Sequence, residues 1–289
     1  MEWLKSDSAR SKRQVNRVGE VKKVYLPDIV GKGYGKFWNF KGRYRVVKGS
    51  RASKKSTTIA LNIICRIMEY PQANVLVIRK TASTLKDSCF AQLKWAINRL
   101  GVGEFWKSRV SPLELEYLPT GQKIIFRGLD DPLKITSITV AKGYLCWAWF
   151  EEAFEISEED FNRVDESLRG ELPKGYFLQC TLSLNPWDSS CWVKSRFFDI
   201  PNENVLAMTT TYQQNEWLSD NDRELFEDMK KTDYQRYLVA GLGQWGVPTG
   251  KFFSEWDDKK HLVKPFEIPR EWRKFRAADW GMAKPYAVL

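Results

Sequence analysis

Arg43-Tyr44-Arg45-Val46-Val47-Lys48-Gly49-Ser50-Arg51-Ala52-Ser53-Lys54-Lys55-Ser56-Thr57 is the stretch from which the architecture can be built. Its first five residues are a short β-prone run. A polar turn follows, and then STTIALNIICRIMEY, in which Ile59, Ile63, Ile64 and Ile67 recur at helical spacing. The order is strand, loop, helix. At such a junction backbone N–H groups and the helix N-terminus can wrap phosphate oxygens. Against the pattern G-x-x-x-x-G-K-[ST], Gly49, Lys55 and Ser56 match, and Lys54 stands where the second glycine is expected. If that position needs a positive φ, a lysine there costs about 1 kcal/mol. Lys54 then also competes with Lys55 for the phosphate-contacting role. Gly49, Ser50, Arg51, Ala52, Ser53, Lys54, Lys55, Ser56 and Thr57 are therefore the candidate nucleotide-binding residues. Taken alone, a basic surface turn reads the same way.

Further along, Pro71 ends the helix and NVLVIR (74–79) has the length and β-branching of a buried strand. TASTLKDSCFAQLKWAINRL, closed by Gly101, predicts a second helix. ELEYL and QKIIFRG around Pro119-Thr120-Gly121 predict a hairpin or two adjacent edge strands. The continuous apolar run YLCWAWF (144–150) has the signature of a central strand covered on both faces, and it ends in Glu151-Glu152. In a P-loop enzyme an acidic residue at the end of such a strand anchors Mg²⁺ and its neighbour polarises the attacking water. Ser56 and Glu151 are accordingly assigned to Mg²⁺ and Glu152 to the general base, the alternative being a charged strand end in solvent.

SEEDFNRVDESL (157–168) opens with a Ser157/Asp160 capping box and predicts a helix. YFLQCTLSL (176–184) and NVLAMTTTY (204–212) predict strands, and 221–241 a helix or helix pair ending at Gly241. Strands alternating with helices imply an α/β fold with a mainly parallel, helix-flanked sheet. The expected boundaries are a basic N-terminal arm at 1–24 that is a short helix or mobile, an α/β domain at 25–245, a linker at 246–271, and the start of a second module at 272–289.

Composition narrows the chemistry. The 289 residues carry 46 Lys+Arg against 36 Asp+Glu, a net charge of +10, which suits a polyanionic partner or simply a solvated basic surface. Cys65, Cys89, Cys146, Cys180 and Cys191 are widely spaced and read as reduced core residues, and His261 is the single histidine, so neither zinc nor Ser-His-Asp chemistry is expected. No apolar run reaches the roughly 18–20 residues of a membrane span, and MEWLKSDSARSKRQ is no signal peptide, so no membrane association is expected.

A series of segments, in order along the chain, resembles one family: GSRASKKST (49–57), DSCFAQLKWAINRLG (87–101), FRGLDDPLKITS (126–137), FEEAFEISEEDF (150–161), TLSLNP (181–186), TTYQQNEWL (210–218) and GQWGVPTGKFF (243–253). The family is the large subunit of tailed-bacteriophage terminases, ATP-driven DNA-packaging motors. The resemblance implies an ASCE/RecA-like P-loop NTPase followed by an RNase H-like nuclease that cuts DNA with two metal ions. Arg51 matches the family's arginine that reaches the γ-phosphate, and Asn185 its coupling motif, so both join Glu152 as candidate catalytic residues. Asp279, in Ala278-Asp279-Trp280-Gly281, resembles the first metal-binding strand of the nuclease. The other carboxylates of that centre would lie beyond Leu289, so no nuclease activity is expected of this stretch, whether it is a truncated gene, a prophage remnant or an ATPase fragment.

The implied cofactors are ATP and Mg²⁺. The implied partners are double-stranded DNA, the terminase small subunit and the portal of the procapsid. The subunit would form a homo-oligomeric ring on the portal and be a monomer in isolation, in the host cytoplasm. Rival readings are a helicase-like DNA-dependent ATPase and a non-catalytic remnant that binds DNA or portal. Trp38 is a candidate for stacking on adenine, whereas Trp147 and Trp149 read as core.

Overall fold

The computed structural model describes residues 12–15, 21–130, 140–246, 261, 264, 266–273, 275, 278–279 and 287–288. Two compact units are distinguished, Met1–Thr249 and Gly250–Leu289. In the first, β1 (Lys12–Val15) and β2 (Val21–Val24) pair antiparallel, so this part of the basic arm is a hairpin and not a helix. Two short helices follow, α1 (Pro27–Val30) and α2 (Gly35–Asn39), and then β3 (Tyr44–Gly49) leads into α3 (Lys55–Glu69). This is the strand, loop and helix expected from the opening stretch.

The rest of the domain alternates as the pattern predicts. β4 (Ala73–Arg79) precedes α4 (Ala91–Leu100), and β5 (Trp106–Val110), β6 (Leu113–Tyr117) and β7 (Gln122–Gly128) form an antiparallel meander. β8 (Tyr144–Glu151), α5 (Glu158–Ser167), β9 (Gln179–Leu184), α6 (Trp192–Phe197) and β10 (Val205–Thr210) complete the sheet layer. The helix pair α7 (Asp220–Thr232) and α8 (Tyr234–Ala240) follows it.

The eight strands lie in the order β10-β3-β9-β8-β4-β7-β6-β5, parallel from β10 to β7 and antiparallel beyond. β9 is inserted between the phosphate-loop strand β3 and the Glu151 strand β8. That is the additional strand of the ASCE class. It brings the C-terminal ends of β3, β9, β8 and β4 side by side, the edge at which open α/β sheets bind ligands.

Both faces of the sheet centre are covered, which is why β4 and β8 are almost continuously apolar. One core joins Ile59, Ile64 and Ile67 of α3 and Leu93 of α4 to Val75, Trp147 and Trp149. The other joins Phe161 of α5 and Phe197 of α6 to Val46, Phe150 and Leu182. Each fully buried side chain of this kind contributes about 1.5–3 kcal/mol. A third, smaller cluster, Tyr212, Leu218, Phe226 and Tyr237, packs under α7 and α8, with the Tyr212 and Phe226 rings stacked at 4.1 Å.

Three local departures from the sequence reading have physical causes. The second helix does not run unbroken: Lys86–Phe90 is a π-turn in which Phe90 N–H donates to Leu85 O at 3.0 Å. The wider turn lets Leu85, Cys89 and Phe90 all face inward. β9 starts at Gln179 because Tyr176 and Phe177 pack against the Tyr70 ring instead of joining the ladder. β5 is an extra edge strand whose outward charges, Lys107 and Arg109, hide its strand character. All five cysteines are free, and no helix among the described residues is long and apolar enough to cross a membrane.

In the second unit β11 (Ala278–Asp279) pairs antiparallel with β12 (Ala287–Val288). Most of the expected linker at 246–271, residues 131–137 of FRGLDDPLKITS and residues 247–253 of GQWGVPTGKFF lie outside the described residues.

Candidate nucleotide site

Between β3 and α3 the chain makes a tight loop held by an internal hydrogen bond and two bonds to Thr210 at the end of β10. Ser50 N–H donates to Thr210 O at 3.0 Å, Ser53 Oγ to Ser50 O at 3.0 Å, and Thr210 Oγ1 to Ser53 Oγ at 3.0 Å. Gly49 is required by crowding, since a Cβ there would collide with Thr210 O. Lys54 adopts φ 68°, ψ 15°, the left-handed conformation for which the motif normally keeps a glycine. Its ammonium pairs with Glu216.

The neighbouring Lys55 turns the other way. Its Nζ donates to Ser50 O at 2.7 Å and Gly49 O at 3.1 Å, so it lies over the loop. Burial pulls its pKa down to about 8, while Glu151 and Glu152 oppose the shift. The ammonium is therefore thinly hydrated and available to an anion at the loop.

Opposite the loop stand the two glutamates that end β8. Ser56 Oγ donates to Glu151 Oε1 at 2.7 Å, and Ser183 Oγ donates to the other Glu151 oxygen. Ser183 in turn accepts from Trp149 Nε1 at 2.8 Å. Glu151 is thus fixed from two sides, with Ser56 beside it. The next residue, Glu152, leaves the strand with φ 52° and ψ 51°, which swings its side chain off the ladder direction. Its Oε2 is buried without a hydrogen-bond partner in the protein. Burial first, then the charge of Glu151, raises the Glu152 pKa to about 7, against the pull of Lys55 and Arg79.

These groups line one cavity of about 570 Å³. Arg51, Ala52, Ser53, Lys54, Lys55, Ser56 and Thr57 supply one wall, Glu151 and Glu152 the floor, and Asn185, just past β9, the far side. Gly49 and Ser50 sit behind the loop and contribute the carbonyls that hold Lys55. Arg51 lies with its guanidinium 5.7 Å from the Trp187 ring, and its N–H donates to Ala240 O at 3.0 Å. Asp279 belongs to the second unit, where β11 gives its backbone position and its side chain lies outside the described residues.

Sequence reasoning missed Arg79, Gln92, Glu155, Ser183, Trp187 and Asn215, all of which line the same cavity. Arg79 had a usable signal: Ile78 is paired with Phe150, so Arg79 and Glu151 emerge together from adjacent parallel strands. Ser183 alternates with Asn185 along TLSLNP and so shares its side of the chain. Trp38 does not line the cavity and packs partly buried against the core, whereas Trp147 and Trp149 are core as expected.

A loop that offers backbone N–H groups and a lysine, a hydroxyl beside a fixed carboxylate, and a second carboxylate left free to accept a proton place this domain among P-loop NTPases of the additional-strand class. The family model for the phage terminase large subunit matches residues 41–244, and the chain belongs to that family. The large terminase subunit of Bacillus phage SPP1 is 41% identical over an alignment of 248 positions that covers 82% of this chain and 57% of that protein. Among solved structures, the large terminase of a thermophilic bacteriophage superposes with a TM-score of 0.61 at 20% identity, over 87% of this chain and 60% of that one. The same thermophilic-phage protein in complex with ATP-γ-S gives 0.57 at 19% identity, over 86% and 58% of the two chains. The chain therefore spans a little over half the length of the relatives it matches.

Proposed function

We propose that this chain binds and hydrolyses ATP with Mg²⁺ in the cavity beneath the phosphate loop and that the cycle drives double-stranded DNA into a procapsid. The observation that carries the reading is the Ser56–Glu151 pair held by Ser183, with Lys55 on one side and the unpartnered Glu152 on the other. Lys55 would bind the β- and γ-phosphates. Arg51 would neutralise charge on the transferring phosphoryl group, and Asn185 would sense that group from the end of β9.

The donor set fits a magnesium ion. Ser56 Oγ and Glu151 Oε1 are hard oxygens 2.7 Å apart beside the phosphate position, and such ions take one or two protein oxygens plus phosphates and water. When bound, the ion would neutralise charge between the β- and γ-phosphates. Glu152 would accept the proton of the attacking water, for which a pKa near 7 and a free buried oxygen suit it.

A second hollow of about 410 Å³ shares Lys54, Thr57 and Asn215 with the first and is otherwise lined by the apolar Ile29, Val30, Leu61, Trp95 and Trp217 together with Thr58 and Arg99. A nucleotide with its phosphates at the loop would place its adenine there. Family membership and the ATP-γ-S complex of the thermophilic-phage relative support the nucleotide assignment. The motor reading also supplies the partners: duplex DNA gripped through phosphates whatever its sequence, the terminase small subunit, and the portal, on which subunits would assemble as a ring in the host cytoplasm. Asp279 would be one carboxylate of a nuclease metal centre, which needs others besides.

The test is steady-state ATP hydrolysis with Mg²⁺, with and without duplex DNA, on the wild type and on Lys55→Ala and Glu152→Gln. Turnover should vanish in both variants while Glu152→Gln keeps ATP binding. A wild type with neither turnover nor nucleotide-induced stabilisation would sink the reading. Strand separation on a forked duplex would favour a helicase over a packaging motor.

A further inference from the structure

Two residues of the phosphate loop, Ala52 (φ 56°) and Lys54 (φ 68°), are left-handed without being glycine. Each L-residue in that region works against contact between its Cβ and the following carbonyl. Something outside the loop must therefore hold it. Both strained residues find their partner on the same short segment that follows β10. Asn215 Nδ2 donates to Ala52 O at 2.9 Å, and the adjacent Glu216 carboxylate pairs with Lys54 Nζ.

The Lys54–Glu216 pair is built in, not draped on the surface. The Lys54 side chain is only 6% exposed, and its ammonium also sits 4.8 Å from the centre of the Trp217 ring. Glu216 accepts a second bond from the Lys32 N–H. Gly31, at φ +74°, leaves room for the pair, because a Cβ there would come within 2.6 Å of a Glu216 oxygen and 2.7 Å of Lys54 Nζ. Partial burial pushes the Glu216 carboxyl up, but the bonds from Lys54 and the Lys32 amide outweigh it and hold it below the ordinary glutamate value. Three segments, at 31–32, at 52–54 and at 215–216, thus close on one point.

We propose that Glu216 and Asn215 are positioning residues that hold the phosphate loop in its left-handed, nucleotide-competent shape, Glu216 doing for Lys54 what a glycine does in the ordinary motif. Glu216 also turns Lys54 away from the phosphates and leaves Lys55 as the phosphate lysine. This rests on the nucleotide reading above. Without Glu216 the sequestered ammonium loses its partner, and the loop is free to leave the left-handed turn. With glycine at position 54 there is neither an ammonium to hold nor a Cβ to strain, and Glu216 becomes dispensable.

The experiment is a double-mutant cycle on the full chain, with Mg-ATP affinity measured by calorimetry and with amide exchange across residues 49–57 measured without nucleotide. Glu216→Ala should weaken ATP binding by about tenfold, the scale of one left-handed residue. It should raise KM with kcat at saturation kept, and should speed loop exchange. In the Lys54→Gly background the same substitution should change affinity less than about twofold and leave exchange alone. Glu216→Gln, which keeps the shape and removes the charge, should act in the same direction as Glu216→Ala. Equal loss in both backgrounds, unchanged affinity, or tighter binding from a freed Lys54 would each overturn the proposal. If the wild type binds no ATP, the functional reading fails, and the exchange comparison still judges the clasp: unchanged exchange in Glu216→Ala overturns it.

Discussion

Glu152 shows how one residue ties stability to chemistry. Its folded pKa, near 7, lies above the ordinary 4.5, so the native state holds a proton that the unfolded chain releases between those values. Stability contributed by this group is therefore present below pH 4.5 and lost as pH rises through 7. Glu152→Gln, which stays neutral, should be more stable than the wild type at about pH 8 by about 3 kcal/mol, with the gap closing as the pH falls to the ordinary glutamate value; urea unfolding at the two pH values measures it. A gap independent of pH would mean that Glu152 is not a strained buried carboxylate. Trp217 makes a separate prediction: Trp217→Ala should weaken ATP and ADP binding alike, because it removes a wall of the hollow proposed to take the base and no phosphate contact. At this scale the sequence was legible where chemistry is local. Lys55, Ser56, Glu151 and Glu152 each sit in a readable run. Asn215, Glu216 and Trp187 carry no such signature, since only the tertiary closure of the loop gives an amide or carboxylate at those positions something to hold.

Among the elements, the strand–loop–helix unit was readable because its apolar spacing switches at the loop, and α5 because Ser157 announces it: Ser157 Oγ accepts from Asp160 N–H at 3.1 Å. Ser157→Ala should cost about 1 kcal/mol in chemical unfolding and leave ATP affinity unchanged, which would separate the cap from the site. Gly49→Ala should behave differently. A methyl driven into Thr210 O must push β10 away from β3 at the point where Gly49 and Thr210 pair, and it should destabilise by about 1–3 kcal/mol while abolishing nucleotide binding. The π-turn at Lys86–Phe90 escaped the periodicity because its extra residue shifts the inward face part-way through an otherwise regular pattern. β5 escaped it because only Trp106 packs against the core while Lys107, Ser108 and Val110 are exposed, so the edge strand shows no apolar alternation.

For the whole molecule, alternating strand and helix signals gave the layers but not the order of the sheet. The chain leaves β3, builds β4 three places away, and only later inserts β8 and β9 between them. No local residue records that sequence of additions, although right-handed crossovers limit the possibilities. The same topology lets one edge gather residues 51, 79, 151 and 185 into a single cavity. Long-range charge acts at this scale too. A net charge of +10 would favour the proposed DNA partner through release of counterions from its phosphates, a term that ignores base sequence and depends steeply on salt. Duplex DNA of any sequence should therefore bind with similar affinity. If about six phosphates are neutralised, binding should weaken by about a thousandfold between 50 and 200 mM salt. Fluorescence anisotropy with two unrelated duplexes over that range decides the matter. A shallow salt slope, or a preference of more than about tenfold for one duplex, would mean that base edges or DNA shape are being read and would argue against a grip that must work at every step along a genome.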